Sequence, residues 1–530
     1  MTSNNIYWCD QCGVPLLREV CDICLSQGRR FTSDLKPVFA EERAFHANHI
    51  GAWQMTKLPL ELLWIQRKTI YFCGHPYLKL NAKGELKKKC PAFEDPESVT
   101  QPTQLPSLNT MIQANATAIA SLKEDSIRFI KDIVSRYPRK KPVVSFSGGK
   151  DSTVVSDLVR EALGTDDIIH VFGDTTIEYP DTYTYVQQFQ ERHPQIKFVI
   201  EKAPHDWFEM CKAMEPPSQI LRWCCSVFKS VPLAKAMKSV NGSGGVISFE
   251  GIRYSESRAR RFSEQIYPSK KIAHQVSARP ILDWNDLSIW LYSLSLGELN
   301  DVYRKGLSRA GCLYCPSNSP FTDYLLQYYY PVQMSKWLNW LKDFAKQVGK
   351  SDPEGYVSTG NWKKRSGGVS GATQVYLKRY GRPCEGDTET RYLLTQPTSS
   401  LLCEMMKPLG TLSTISDPKL GYYEVCNYDT GEPLFRFQAL PGEAYMSVVL
   451  LITKGRRLLL ARIERQIKKF QTCVQCGSCA AVCPTGAIST SSPLRIDDEK
   501  CTRCLKCSRL LNRGCVALNS MYGNGRKKET

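Results

Sequence analysis

The hydrophobic pattern changes period along the chain, and the changes divide it. Residues 63–72 and 77–88 read as strands separated by turn residues, which predicts a small β-rich region. Apolar residues of 119–137 recur at helical spacing, predicting an amphipathic helix that leads into a short apolar strand at 142–146. A helix is expected over 153–163, and strand and helix patterns then alternate, as in a parallel sheet with covering helices. Further on, 422–425 and 434–437 flank an Asp-Thr-Gly turn like the arms of a hairpin, and 456–470 has the pattern of a basic helix. No apolar run reaches the length of a membrane span: the one at 447–452 is cut off by Lys454, Arg456 and Arg457.

Composition turns these blocks into expected domains. Residues 1–30 form a Cys-rich knuckle, and 31–105 a small β-rich domain ending in a Pro- and Ser-containing linker. Residues 107–345 form the α/β core, and 346–390, basic and Gly/Ser-rich at 366–371, read as a mobile linker. A mixed α/β connecting region follows at 391–470, then a second Cys-rich module at 471–520. A formal charge of +18 fits a basic surface or a polyanionic partner such as tRNA or DNA, with basic runs at 87–89, 139–141, 363–365 and 526–528. The polar start carries no visible signal peptide, and most of the 22 cysteines stand in close pairs suited to metals rather than to distant bridges, so a reducing, cytoplasmic setting is expected.

The central motif is Ser147-Gly148-Gly149-Lys150-Asp151-Ser152, between a strand and a helix. Two glycines let the backbone turn its N–H groups toward an anion, the helix adds its positive end, and Lys150, read as an exposed loop residue, completes a phosphate cradle with the serines. The gap before Gly-Lys is too short for a Walker A loop. The string resembles the PP-loop of N-type ATP pyrophosphatases and of the adenylylsulfate and phosphoadenylylsulfate reductases, a superfamily with a doubly wound, mainly parallel α/β fold that binds adenine nucleotides. Val171 to Thr175 with Asp174, Tyr179 to Tyr183, Gly251-Ile252-Arg253 with Glu256-Ser257 and Arg260, and Arg279-Pro280-Ile281 with Trp284 resemble further reductase elements in family order over about 110–330. The resemblance implies that Arg253 and Arg260 meet phosphate or sulfate oxygens, for which planar guanidinium donors are suited.

Cys224-Cys225 and Cys312-x-x-Cys315 supply four thiolates, enough for one zinc or one 4Fe–4S cluster. The resemblance favours the cluster, because adenylylsulfate reductases bind theirs through such a pair and a distant Cys-x-x-Cys. Those reductases also carry a nucleophilic Cys in a Glu-Cys-Gly string near the C-terminus. No such string follows Cys315; Cys384 is the nearest candidate, with Cys403 and Cys426 competing.

Cys473-x2-Cys476-x2-Cys479-x3-Cys483-Pro and Cys501-x2-Cys504-x2-Cys507 form a bacterial ferredoxin run. One cluster is expected on Cys473, Cys476, Cys479 and Cys515, the other on Cys501, Cys504, Cys507 and Cys483; Cys515 lies further from its run than the motif asks. Cys9, Cys12, Cys21 and Cys24 have zinc-ribbon spacing, with an iron site as the alternative.

These features imply three 4Fe–4S clusters, one zinc, and ATP or an adenylylsulfate-type nucleotide. The first expectation is a reductase of adenylylsulfate or a relative, fed by its own ferredoxin module and an electron donor. The second is ATP-dependent thiolation of tRNA or DNA. The third is a non-catalytic nucleic-acid-binding or electron-relay subunit. No membrane partner is expected.

Overall fold

The computed structural model describes residues 5–256, 260–365, 377–380, 389–415, 420–490, 493–509 and 514–521. Its centre is a six-stranded sheet in the order Lys197–Lys202, Ile169–Asp174, Lys141–Ser145, Val246–Phe249, Gln275–Ala278, Ile266–Pro268. All neighbours are parallel except the last pair, so the fold is α/β with a doubly wound, mainly parallel sheet. The chain enters at Lys141–Ser145, builds outward on one side, then returns to build on the other. The strand order therefore reverses between Lys141–Ser145 and Val246–Phe249, and the carboxyl ends of those two strands open a crevice of the kind that takes ligands.

Helices close both faces. The helix expected over 119–137 runs Ala116–Arg136, buries Ile130 and Ile133, and leaves its charged side outward. The helix after the Gly-Gly turn starts earlier than its apolar pattern suggests, at Lys150, and ends at Leu163 on Gly164, whose left-handed φ of +65° terminates it.

A three-stranded sheet of Val14–Leu16, Ile6–Cys9 and Arg29–Thr32 carries the first Cys knuckle, and a five-stranded antiparallel sheet spans Lys36–Pro37 to Leu86–Lys89. Both belong to one hydrophobic cluster that also takes in Leu287 and Leu291 of the central domain. Beyond the centre, a six-stranded antiparallel sheet contains the expected hairpin, Tyr422–Cys426 against Pro433–Gln438. The basic helix, Arg456–Thr472, lies on this sheet and delivers the chain to the second Cys-rich module.

The stretch expected as a mobile basic linker departs from that reading where it is described. Pro353–Ser358 is helical, Trp362 is buried, and Lys363 and Arg365 are buried too. Lys363 Nζ donates to the Asn318 carbonyl at 2.9 Å and pairs with Asp323, while Arg365 pairs with Glu215. Each cation found a distant acid, which is what lets a charge leave water. The Gly/Ser-rich part at 366–371 lies outside the described residues.

Candidate functional site

The phosphate-loop candidate sits at the carboxyl end of Lys141–Ser145, on the crevice. Gly148 has φ +68°, and a Cβ there would come within 2.9 Å of Thr182 Cγ2, so glycine is required twice over. The turn is held from inside: the Ser147 N–H donates to Ser152 Oγ at 3.2 Å, and Ser152 Oγ donates to the Gly149 carbonyl at 2.8 Å. Asn300 Nδ2 donates to the Gly148 carbonyl at 2.8 Å, and the Lys150 N–H to the Tyr303 hydroxyl at 3.0 Å.

Lys150 is buried rather than exposed. Its Nζ lies 2.8 Å from Asp151 and 3.8 Å from Asp286, over the rings of Trp290 and Tyr303. Arg253 is buried beside it. Its Nε donates to Asp151 at 2.5 Å, one Nη to Ser255 at 2.9 Å, and the other to Asp286. Burial alone would raise the Asp151 carboxyl, but Arg253 and then Lys150 hold it well below the usual range; Asp286 is lowered against burial by the same two cations. Gly251 makes this closure possible, since a Cβ there would stand 2.7 Å from the Asp151 carbonyl carbon. Arg260 stays half-exposed at the rim, paired with Glu256. Asp174 is tied into its own loop, accepting from the Thr176 N–H at 2.7 Å and the Tyr183 hydroxyl at 2.9 Å.

Asp34 and Asp286 were missed in the sequence reading. Asp34, from the N-terminal β region, accepts from the Asp286 N–H at 3.2 Å, and burial together with Asp286 pushes its carboxyl up to about 7. Neither lies in a motif; the only signal was an Asn-Asp pair opening a helix.

The core thiols gather on the neighbouring strand end. Cys225 opens a π-helical turn, Cys225–Ser230, a geometry frequent at functional sites. Cys312 pairs with Glu178 in an isolated bridge, its Sγ 3.7 Å from the Glu178 carboxylate. Lys229 Nζ stands 3.6 Å from Glu178 and acts electrostatically on Cys312, Cys225 and Cys315, and Arg309 donates to Cys315 Sγ at 3.6 Å. The Cys225 thiol is pulled down to about 5, chiefly by its hydrogen bond with Cys224, with Lys229, Lys271 and Arg222 adding to it. Four thiols with two cations suit a group of net negative charge.

In the second module, Cys515 lies in the electrostatic neighbourhood of Cys473, Cys476 and Cys479, and Cys501 in that of Cys507 and Cys483. A small pocket is lined by Cys483, Cys501, Cys504 and Cys507 together. Cys476, Cys479 and Cys515 are buried, whereas Cys504 is exposed. The short helix Ser478–Ala481 packs against Cys225–Ser230 and the helix that continues it, Val231–Asn241. Gly477, at φ +80°, fits against Val231, and the Ala273 N–H donates to the Ala481 carbonyl at 3.1 Å.

Among the described residues, Cys9, Cys12, Cys21 and Cys24 are the only group of three or more Cys, His or acidic residues whose ligand atoms all lie within 4.8 Å of one another. Sulfur separations of 3.4 Å for Cys9 and Cys24 and 3.8 Å for Cys12 and Cys21 match a tetrahedron around one ion, with M–S bonds of about 2.3 Å for zinc. Cys384 lies outside the described residues; Cys403 and Cys426 belong to the distal antiparallel region, and burial, the larger cause in both, raises each thiol away from reactive thiolate.

Fold and site define a PP-loop-type nucleotide-binding domain joined to a Cys-rich module, and comparison with known proteins finds a domain-family match for each part. Residues 141–318 match the phosphoadenosine phosphosulfate reductase domain, and 469–489 the 4Fe–4S binding domain. Two Methanocaldococcus jannaschii proteins, uncharacterized proteins MJ0066 and MJ0973, are 35% and 31% identical over 259 and 238 residues, or 48% and 44% of this chain. The matches span about half of those relatives, 52% and 56% of their lengths. An adenosine 5'-phosphosulfate reductase of Geobacillus kaustophilus is 26% identical over 185 residues, 34% of this chain and 74% of that protein. A solved phosphoadenylyl-sulfate reductase from Candida auris aligns at 16% identity and a TM-score of 0.28, covering 37% of this chain and 93% of that one. No described helix is long and apolar enough to cross a membrane.

Proposed function

We propose that the chain reduces adenylylsulfate or phosphoadenylylsulfate, using electrons received through its own ferredoxin module from an external donor. In this reaction the bond between sulfur and the bridging phosphate oxygen breaks. The oxygen keeps the electron pair and leaves as the adenylate, and two electrons convert the sulfur to sulfite. One observation carries the reading: the Cys476–Cys479 turn is seated on the helix that Cys225 begins, so the two thiol sets share a wall. Clusters bound on Cys224, Cys225, Cys312 and Cys315, and on the two ferredoxin sets as expected, would supply one-electron storage and transfer. The chain's own residues do the rest. Ser147, Gly148, Gly149 and Ser152 cradle phosphate, with Asp174 bracing the adjoining loop; Lys150, Asp151 and Arg253 fix the charge beneath it, and Arg260 at the rim turns toward sulfate oxygens. Cys384 is the candidate nucleophile, and Cys9, Cys12, Cys21 and Cys24 hold zinc.

A second reading, ATP-dependent thiolation of tRNA or DNA, has its own observation in a groove between core and module lined by Lys140, Lys270, Lys506 and Arg509. One assay separates them. With adenylylsulfate and a reduced carrier, the protein should release sulfite and AMP without nucleic acid. Pyrophosphate release from ATP that depends on tRNA or DNA, with adenylylsulfate left intact, would replace the first reading with the second.

A further inference from the structure

Lys469 is the most conspicuous charge that this function leaves unused. It lies one turn before Cys473 on Arg456–Thr472, is 1% exposed, and its Nζ has no hydrogen-bond partner. An ammonium in that state costs several kcal/mol unless negative charge lies close by. Its electrostatic neighbours are all thiols, Cys507, Cys479, Cys515 and Cys473, drawn from both halves of the module. Gln466, one turn earlier on the same helix, is occupied with Ser508 at 2.9 Å. Among the described residues it forms no ion pair with a carboxylate.

We propose that Lys469 is a shared counter-ion, placed between the two ferredoxin cluster sites to raise the reduction potential of both. This inference rests on reading Cys473 to Cys515 as a two-cluster module. Four thiolates around an iron–sulfide core carry net negative charge, and reduction adds one more unit, so a fixed buried cation favours the reduced form. Its position between the sites makes the effect common to both. Surface lysines such as Lys500 are screened by solvent and salt and act far less.

The test is a potentiometric titration of the full, anaerobically reconstituted chain, followed by electron paramagnetic resonance. Lys469→Met should keep the iron and move both module midpoints downward, lowering the reduced-to-oxidised ratio at fixed potential at least tenfold, ~59 mV for a one-electron couple. The signal assigned to Cys224, Cys225, Cys312 and Cys315 should stay in place, and Lys469→Arg should restore the wild-type midpoints. Full iron with unmoved midpoints in Lys469→Met overturns the proposal while leaving the module reading intact; wild-type protein without module iron sinks the module reading itself. If Lys469→Met loses iron, Lys469→Gln is titrated in its place. If both lose it, loading restored by Lys469→Arg supports the charge, and iron loss in that variant too overturns it, since the site would then need the shape of lysine rather than its charge.

Discussion

Arg253 allows the sharpest numerical test, because its surroundings contain a closed charge count. Two cations, Lys150 and Arg253, face two carboxylates, Asp151 and Asp286, and the four balance as long as Asp34 beside them keeps its proton. Arg253→Met leaves one negative charge uncompensated in a largely buried site. Removing one partner of a buried pair costs about 3–5 kcal/mol. Asp286 keeps 36% of its side chain toward solvent, and screening there takes the expectation to the low end, ~3 kcal/mol. A domain of this size loses ~2–4 °C per kcal/mol, so its melting temperature should fall by ~6–12 °C. Arg253→Met with Asp286→Asn restores the balance with Lys150 against Asp151, and should recover at least half of the loss. The chain has several domains, so thermal melts should be read by hydrogen exchange in peptides covering 141–163 and 246–256, which report this region alone. An unchanged melt in the single variant, or a double variant no better than the single, refutes the charge-balance argument. AMP affinity near wild type in the double variant would further show that Arg253 sets the charge of the site without touching phosphate.

Asp34, raised to about 7, keeps a proton in the folded chain that the unfolded chain releases near ~3.9, so its contribution is complete below that value and lost as pH rises toward 7. Asp34→Asn should therefore gain on wild type in denaturant midpoints between about pH 5 and about pH 8; parallel curves would contradict it. Lys150→Ala should weaken adenine-nucleotide binding and also destabilise the domain, since it strips a buried cation from Asp151; calorimetry showing equal affinity would remove Lys150 from the phosphate site. Metal analysis of anaerobic protein should find about twelve irons and about one zinc, and Cys312→Ser with Cys315→Ser should remove about a third of the iron; unchanged iron would dismiss the core site.

What was legible in the sequence is what covalent spacing fixes. Ser147 to Ser152 make their turn within one stretch of chain, and Cys9 with Cys12, or Cys476 with Cys479, meet because two residues separate them. What was hidden depends on contacts between distant segments. Asp34 reaches Asp286 across 252 residues, with no local pattern to announce either. Basic residues were misread for the same reason. Lys363 and Arg365 looked solvated because their acids, Asp323 and Glu215, lie 40 and 150 positions away. On the basic helix, Lys468 and Lys469 are adjacent in sequence but ~100° apart around the axis, so one stays half-exposed while the other is buried beside cysteines.

The two halves of the proposed chemistry are also joined within the central domain, and the joint is a single phenol. The Tyr303 hydroxyl accepts the Lys150 N–H at 3.0 Å and the Ala310 N–H at 3.4 Å. The first belongs to the start of the phosphate-loop helix; the second lies two residues before Cys312. From Gly311 onward the same segment pairs with the loop after Asp174, through the Tyr179 N–H to the Gly311 carbonyl at 3.1 Å and the Leu313 N–H to the Ile177 carbonyl at 2.8 Å. The Cys312 arm is therefore positioned by two strand ends at once, one carrying the nucleotide loop and one carrying Glu178. A displacement of the loop would have to move Tyr303, which is buried against Trp290, or break one of its two bonds. That arrangement favours a fixed separation between nucleotide and thiols, which a reaction at the sulfur end of a bound adenylylsulfate requires more than binding alone would.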